Sequence, residues 1–426
     1  MSILMFGLLI VLIAIGVPIA ISLTGATLVT LLAMTDVNPI VVAQRYFTAV
    51  DSFSLMAIPF FMMAGMLMER GGISKRLINL ANLLLGNLYG SLAIVLIVTS
   101  AFFGALTGSS TATVAAIGGI MIPAMLRSGY EEGFSLSTSA SSGFLGCIIP
   151  PSIPMITYGV AAGVSIGGMF MAGVIPGILL ALGMCCYAFY FGRKNNYKAS
   201  DKRPTGKEIL AAFKEAVWAL LMPVIILGGI YGGIFTPTEA SCVALFYGLI
   251  VGVFVFKELK IRDLPKMIKQ AMINSAMVLF IIAGATAFGY LMTRGMIPAK
   301  IATAITSITD NSILFLLIVN VLLLVMGTFM ETNAAIMITA PIFLPIVTAM
   351  NINPIHFGTI MIVNLAIGQI TPPLGVNLFV AAGIQGGTLE KVVNRHLIRY
   401  ILICVLILLL ITYIPGLSLV LPSLLK

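Results

Sequence analysis

The sequence predicts an all-α polytopic membrane protein with about ten transmembrane helices and two re-entrant helical hairpins in inverted repeats. A soluble globular chain is excluded, because 60% of the residues are hydrophobic, only 9% are charged and the mean hydropathy is +1.14. Two further observations, an internal sequence repeat and a polar interruption in each copy, predict the hairpins.

The first apolar segment, MSILMFGLLIVLIAIGVPIAISL, has no basic leader and no clear small-residue cleavage site. We therefore expect it to be retained as a membrane segment. The topology argued below requires residues 1–34 to cross the membrane twice, with the break near Gly16 and Pro18.

An internal repeat relates the two halves of the chain. Residues 64–73 (AGMLMERGGI) align with residues 288–297 (FGYLMTRGMI), and glycine and arginine positions match as well as apolar ones. Further on, the double prolines at 150–151 and 372–373 align at an offset of 222 residues. Matched Gly, Pro and Arg residues argue against a coincidence in a chain rich in leucine.

Each copy contains a long apolar stretch that is interrupted by polar residues. The stretch 89–126 is split by GSST at 108–111, and the stretch 312–349 is split by ETN at 331–333. Each half is short for a full crossing, so a re-entrant helical hairpin with a polar tip fits the pattern. Non-helical backbone at membrane depth requires protein or water to satisfy its polar groups, which a binding cavity provides.

The segment after each hairpin is a helix broken by paired prolines. Residues 134–164 contain GCIIPPSIP, and residues 355–385 contain GQITPPLGV. Proline removes amide donors and glycine permits unusual backbone angles, so free carbonyl groups are expected at both breaks.

The number of crossings between the hairpins makes the copies inverted. Five spans are predicted there, at 134–164, 167–192, 211–235, 238–257 and 273–293. The predicted division is a first repeat at 1–192, a cytoplasmic basic loop at 193–210 and a second repeat at 211–426. With that loop inside, 19 of the 23 Lys and Arg residues fall on the cytoplasmic side. The other four are Arg45, Arg294, Lys300 and Lys426. This positive-inside bias explains the net charge of +9 without a nucleic-acid partner.

The two tips and the two breaks together predict an oxygen-rich site near the membrane midplane. Hydroxyl, amide and carbonyl oxygens suit an alkali cation, and helix ends that point at the centre suit a carboxylate. We expect one cation at each tip and an anionic substrate between them. The first cation site is assigned to Gly108, Ser109, Ser110, Thr111, Gly146 and Pro150. The second is assigned to Glu331, Thr332, Asn333, Gly368 and Thr371. The substrate contacts are assigned to Ser109, Ser152, Asn333, Thr371 and Asn377.

Glu331 is the acidic residue at a hairpin tip, and an intramembrane carboxylate is a functional candidate by default. Three interpretations are open. Glu331 is an ionised cation ligand, a neutral acid in apolar surroundings, or a hydrogen-bond acceptor that shapes the tip. We adopt the first.

Five segments resemble the large membrane subunit of TRAP transporters, the tripartite ATP-independent periplasmic carriers of the DctM-like family. They are GALTGSSTATVAAIGGIMIPAM, GCIIPPSIPMITYG, GIFTPTEAS, METNAAIMITAPIFLPI and GQITPPLGVNLFV. The resemblance implies an elevator-type Na⁺ symporter of the bacterial inner membrane, with Na⁺ as the transported coupling ion and no organic cofactor. It also implies a small membrane subunit as a separate chain and a periplasmic substrate-binding protein. The implied substrate is sialic acid or a four-carbon dicarboxylate.

Other function classes fit the sequence less well. An intramembrane hydrolase needs a base beside Ser109 or Ser110, and no Lys or His lies in the two proline breaks GCIIPPSIP and GQITPPLGV, so an enzyme is not expected. A channel needs a continuous polar path, whereas the other spans are almost wholly apolar. The closest alternative is a standalone Na⁺-coupled anion carrier of similar architecture.

Overall fold

A computed structural model of the chain describes residues 1–198, 204–300, 303, 311–384 and 386–424. Every regular element in these ranges is a helix, which confirms the all-α prediction. By length and composition, nine of the described helices can cross a membrane, and a bent pair can add a tenth crossing. Three of the nine are hairpin arms, at Ser110–Arg127, Ser312–Phe329 and Thr332–Ala349.

The chain begins with three short helices, α1 (Ser2–Ala14), α2 (Ile19–Met34) and α3 (Ile40–Val50). The break between α1 and α2 lies where the sequence predicts it, with Gly16 at φ +85° and Pro18 directly before α2. At 1.5 Å per residue, α1 is about 20 Å long and α2 about 24 Å, and both are shorter than the ~30 Å hydrocarbon core. The double crossing of residues 1–34 therefore stays a prediction.

The first hairpin and its broken helix follow in the expected order. The helices are α4 (Ala57–Arg70), α5 (Ile73–Leu85), α6 (Ser91–Thr107), α7 (Ser110–Arg127), α8 (Glu132–Ile148) and α9 (Ile153–Ala162). Helices α6 and α7 are the arms of the hairpin. Helices α8 and α9 meet at an angle of 41°, and the peptide bond between Pro150 and Pro151 at their junction is cis.

A second hairpin and a second broken helix occur later in the chain. Four long helices precede them: α10 (Ile166–Lys194), α11 (Gly206–Tyr231), α12 (Pro237–Val255) and α13 (Leu264–Arg294). The second hairpin and broken helix are α14 (Ser312–Phe329), α15 (Thr332–Ala349), α16 (Pro354–Gly368) and α17 (Val376–Ile384). The chain ends with a one-turn helix at Leu389–Val392, α18 (Arg395–Tyr413) and α19 (Gly416–Ser423).

The order of the elements makes the two hairpins inverted. Between the first tip and the second lie the bent α8–α9 unit and the helices α10, α11, α12 and α13. These five described units match the five crossings predicted from the sequence, an odd number that has the hairpins enter the membrane from opposite faces. The division at 1–192, 193–210 and 211–426 stays a prediction, and residues 199–203 of the basic loop lie outside the described residues.

Glycine pairs set the distance between each hairpin and its broken helix. A Cβ added to Gly104 on α6 would lie 2.5 Å from the Cα of Gly146 on α8. A Cβ added to Gly368 on α16 would lie 2.5 Å from the Cα of Gly327 on α14. Backbone touches backbone at both places, which only glycine permits. The same close packing therefore occurs once in each repeat.

A second group of helices packs beside the hairpins. Helix α13 contacts α2, α3 and α4, and α4 contacts α12. We call α2, α3, α4, α12 and α13 the flanking layer. It adjoins the hairpins through α13, which packs against α15 of the second hairpin, and through α4, which packs against α6 of the first.

Candidate functional site

The first hairpin tip is formed by Gly108 and Ser109. Gly108 ends α6 in the left-handed conformation at φ +61°, where a side chain would be strained. The Ser109 hydroxyl then accepts the backbone N–H of Ala112 and caps α7. The Thr113 hydroxyl donates to the Ser109 carbonyl oxygen at 2.7 Å. Residue types that end and begin helices therefore shape this tip.

The second tip is formed around Glu331, which caps α15. One carboxylate oxygen accepts the backbone N–H of Ala334 at 3.1 Å, and the other accepts the side-chain amide of Asn333 at 2.7 Å. The structure thus contains the contacts of the tip-shaping interpretation. The cation-ligand role of Glu331 stays a prediction.

Each tip is held by the broken helix of the other repeat. The Asn377 amide on α17 donates to the Ser110 hydroxyl at 2.6 Å and to the Ala140 carbonyl oxygen at 3.2 Å. The Thr157 hydroxyl on α9 donates to the Asn333 side-chain oxygen at 2.9 Å. The Asn377–Ser110 and Thr157–Asn333 bonds cross between the repeats and tie both hairpins into one unit.

The proline breaks also bond to the hairpins of their own repeats. The Ile153 N–H donates to the Gly108 carbonyl oxygen at 3.5 Å, and the Gly375 N–H donates to the Thr328 carbonyl oxygen at 3.2 Å. Ile153 and Gly375 occupy equivalent positions in the repeat. The peptide bond between Pro372 and Pro373 is cis, as in the first break.

The structure brings several predicted residues of the first cation site into contact. A Cβ added to Gly146 would lie 2.6 Å from the Ser109 carbonyl oxygen, so this carbonyl lies directly against α8. In the second site, the Gln369 side-chain amide donates to the Thr332 hydroxyl at 2.5 Å. The Thr371 hydroxyl is used within its own helix turn, where it donates to the Ile367 carbonyl oxygen at 2.9 Å.

Both tips face one cavity of about 370 Å³. Six of the residues assigned from sequence line it: Gly108, Ser109, Ser110, Thr111, Glu331 and Asn333. The other seven assigned residues lie outside this lining: Gly146, Pro150, Thr332 and Gly368 of the cation sites, and Ser152, Thr371 and Asn377, which were assigned to the substrate. The Ser152 hydroxyl instead caps α9 and donates to the Cys147 carbonyl oxygen. The substrate role assigned to these three residues stays a prediction.

Cys147 and Gln369 are two of the cavity residues that the sequence assignment missed. Cys147 and Gln369 both line the cavity and are equivalent in the repeat, since their numbers differ by the offset of 222. Gln369 is 5% exposed, and its side-chain oxygen has no hydrogen-bond partner among the described residues. Positions 147 and 369 match in the repeat but differ in residue type. A comparison of the two repeats at this position could therefore have identified Gln369 as a site residue.

The electrostatics of the cavity suit both signs of charge. The first residues of α7, Ser110 and Thr111, line the cavity, so the positive end of that helix dipole lies at its wall. Glu331 adds a carboxylate, and the hydroxyl and carbonyl oxygens of the tips add neutral acceptors. Such a site can hold an organic anion and an alkali cation next to each other.

The family described as "Tripartite ATP-independent periplasmic transporter, DctM component" matches residues 6–417. The chain belongs to the DctM family. It is therefore a component of a three-part transporter rather than an enzyme, and it is a multi-pass protein of the bacterial inner membrane. Its partners are the other two components, a small membrane subunit and a periplasmic binding protein.

Named relatives support the DctM assignment. The chain is 47% identical over 412 residues to the isethionate TRAP transporter permease protein DctMQ of Oleidesulfovibrio alaskensis, covering 97% of this chain and 65% of that protein. It is 42% identical to the C4-dicarboxylate TRAP transporter large permease protein DctM of Pseudomonas aeruginosa, covering 95% of this chain and 94% of that protein. It is 35% identical to the sialic acid TRAP transporter large permease protein SiaM of Vibrio cholerae, covering 96% of this chain and 95% of that protein.

Two solved structures share the fold of this DctM-family chain. The YdaH transporter of Alcanivorax borkumensis aligns with a TM-score of 0.65 at 16% identity, covering 93% of this chain and 96% of that one. MtrF of Neisseria gonorrhoeae aligns with a TM-score of 0.60 at 13% identity, covering 88% of this chain and 84% of that one. At these identities the likeness is one of fold alone.

Proposed function

We propose that this DctM-family chain is the large permease subunit of a carrier that couples Na⁺ entry to the uptake of a small organic anion. The observation that supports the proposal is the single cavity between two hairpin tips of opposite orientation. Each tip offers oxygen acceptors for a cation, and the start of α7 offers backbone N–H groups for an anion. Inverted hairpins around one site are typical of secondary transporters.

The proposed Na⁺ sites are those assigned from sequence. At the first tip, the carbonyl oxygens near Gly108 and Ser109 lie against the Gly146 turn of α8. At the second, Thr332 and Gly368 lie against Gln369 and the end of α14. These are hard oxygen donors next to close backbone packing, which suits an alkali cation.

The proposed substrate is a small carboxylate or sulfonate. Relatives are named for isethionate, C4-dicarboxylates and sialic acid, and all three classes carry such a group. The cavity of about 370 Å³ accommodates a molecule of this size class. We propose that a periplasmic binding protein delivers the anion. We also propose that a small membrane subunit is a partner of this chain, which spans 65% of the length of the DctMQ relative.

The proposed mechanism is an elevator, in which the two hairpins and the broken helices move as one unit past the flanking layer. The hydrogen bonds from Asn377 to Ser110 and from Thr157 to Asn333 join the hairpins to both broken helices. The cavity lies at the boundary of this unit, because the flanking residue Met62 and one face of α13 also line it. A substrate bound there would travel with the unit.

Uptake into proteoliposomes tests the proposal. The wild-type chain is reconstituted with its small subunit, and labelled isethionate, succinate or sialic acid is added with the matching binding protein. Accumulation that needs both an inward Na⁺ gradient and the binding protein is the expected result. A K⁺ gradient of equal size is the control. Gradient-independent flux would contradict the proposal, and uptake by this chain alone would favour the standalone carrier.

A further inference from the structure

One face of α13 lines the cavity opposite the hairpin tips. Its four cavity residues are Asn274, Met277, Val278 and Ile281, at spacings of three, four and seven residues along the helix. Residues so spaced lie on one side of a helix. The other cavity residue from the flanking layer is Met62. Asn274 is thus the polar member of an otherwise apolar wall.

The position of Asn274 places its amide at membrane depth. It lies ten residues after Leu264, where α13 begins, which corresponds to about 15 Å along the helix. Lys266 and Lys269, in the first two turns, mark the cytoplasmic end of the span. A polar side chain at this depth that faces a cavity is a functional candidate.

The hydrogen bonding of Asn274 leaves part of the amide available. Its side-chain oxygen accepts the side-chain amide of Gln270, one turn earlier, at 3.0 Å. Its own amide nitrogen has no acceptor among the residues that the structure describes. The cavity opposite contains the hydroxyl and amide groups of both tips. An anion held by the tips would place an acceptor oxygen in front of this N–H group.

We propose that Asn274 is a specificity-determining residue that donates a hydrogen bond from the flanking layer to the carboxylate or sulfonate of the substrate. The inference rests on the proposed function. The tips then hold one side of the anion and α13 holds the other. The flanking layer thereby contributes to substrate binding, although it contributes none of the Na⁺ ligands proposed above.

The expected effect is a change in substrate KM with an unchanged response to Na⁺. A hydrogen bond to a charged group is worth about a 10- to 100-fold change in affinity. Asn274→Leu removes the donor at similar size and should raise the KM by about tenfold or more. Asn274→Asp places a negative charge against the anion and should raise the KM further. Asn274→Gln keeps the amide and should stay within about threefold of the wild-type value.

The test uses the complete transporter in proteoliposomes, with the anion among isethionate, succinate and sialic acid that the wild type accumulates. Substrate KM, maximal rate and the Na⁺ concentration for half-maximal uptake are measured for each variant. Thr286→Val is the matched control, because it removes a hydroxyl from α13 that bonds to the Ile282 carbonyl oxygen of the same helix and lies outside the cavity lining.

Four outcomes are distinguishable. A raised KM in the Leu and Asp variants, with unchanged Na⁺ half-saturation and near-normal Gln and control variants, supports the proposal. Wild-type KM values in both variants overturn it, and so does a lower rate at constant KM, which would show a structural role. If the Leu variant does not fold, the Asp and Gln variants decide between these outcomes. A wild-type complex that accumulates none of the three anions overturns the proposed function together with this inference.

Discussion

Replacing Gly368 by alanine should displace the second hairpin tip. Gly368 ends α16, and its α-carbon faces the backbone of Gly327 near the end of α14. A Cβ built at Gly368 would lie 2.5 Å from two Gly327 backbone carbons and 2.9 Å from the Gly327 carbonyl oxygen. No side chain can rotate away at this contact, because all three atoms belong to the backbone.

The size of the displacement follows from these distances. Ordinary van der Waals contact begins at 3.4 Å, so the helices must separate by about 0.9 Å to restore it. Glu331 lies four residues after Gly327 and moves with it. Metal–ligand distances are held to about 0.2 Å, so such a shift disrupts a cation site. Overpacking typically costs about 1–3 kcal/mol of folding stability, so the thermal unfolding midpoint should fall. The displaced tip should also raise the Na⁺ concentration for half-maximal uptake.

The assay is Na⁺-dependent uptake in proteoliposomes together with the thermal unfolding midpoint in detergent. Gly383→Ala is the matched control, because this helical glycine in α17 has no atom within 4 Å of an added Cβ. Alanine there should leave uptake unchanged and stabilise the helix by up to about 1 kcal/mol. If Gly368→Ala has the same Na⁺ half-saturation and unfolding midpoint as the wild type, the close-packing argument is wrong.

Three other predictions concern the tips and the topology. Glu331→Gln keeps the shape of the side chain but removes its charge, so the Na⁺ concentration for half-maximal uptake should rise; an unchanged value would exclude the cation-ligand role. Asn377→Ala removes the bond to Ser110 and should destabilise the first tip by about 1–3 kcal/mol. The backbone amides of residues 108–113 should then exchange hydrogen faster, and wild-type exchange rates would contradict the cross-repeat link. In a cysteine-free background, Asn195→Cys should be labelled only from the cytoplasm and Ala349→Cys only from the periplasm, and same-side labelling would refute the inversion.

Local residue signals were sufficient to predict the helix breaks. Gly108 and Ser109 end one helix and cap the next, and Glu331 caps α15, as residues of these types commonly do. Paired prolines mark the break in each broken helix, because proline cannot donate a backbone hydrogen bond. The repeat then indicated that the two polar tips belong to equivalent structures.

The role of individual site residues was less visible in the sequence. Ser152 and Thr371 lie in the predicted motifs, yet their hydroxyls bond to the backbone of their own helix breaks. A hydroxyl near a helix break has two uses, capping the helix and binding a ligand, and its residue type is the same in both. Asn274 was missed because a single amide in an apolar helix has no spacing pattern to distinguish it. Gln369 was missed although its equivalent in the first repeat is Cys147.

The sequence by itself determined the all-helical membrane fold, the two inverted hairpins and the polar tips, because apolar length, glycine and proline act locally along the chain. Only the tertiary structure decided which groups meet. Thr157 bonds to Asn333 across 176 residues, and Ser110 bonds to Asn377 across 267 residues. Contacts between such distant residues depend on how two hairpins and two broken helices pack together. No local pattern encodes them, so the tertiary structure alone places both tips at one cavity with Asn274 opposite them.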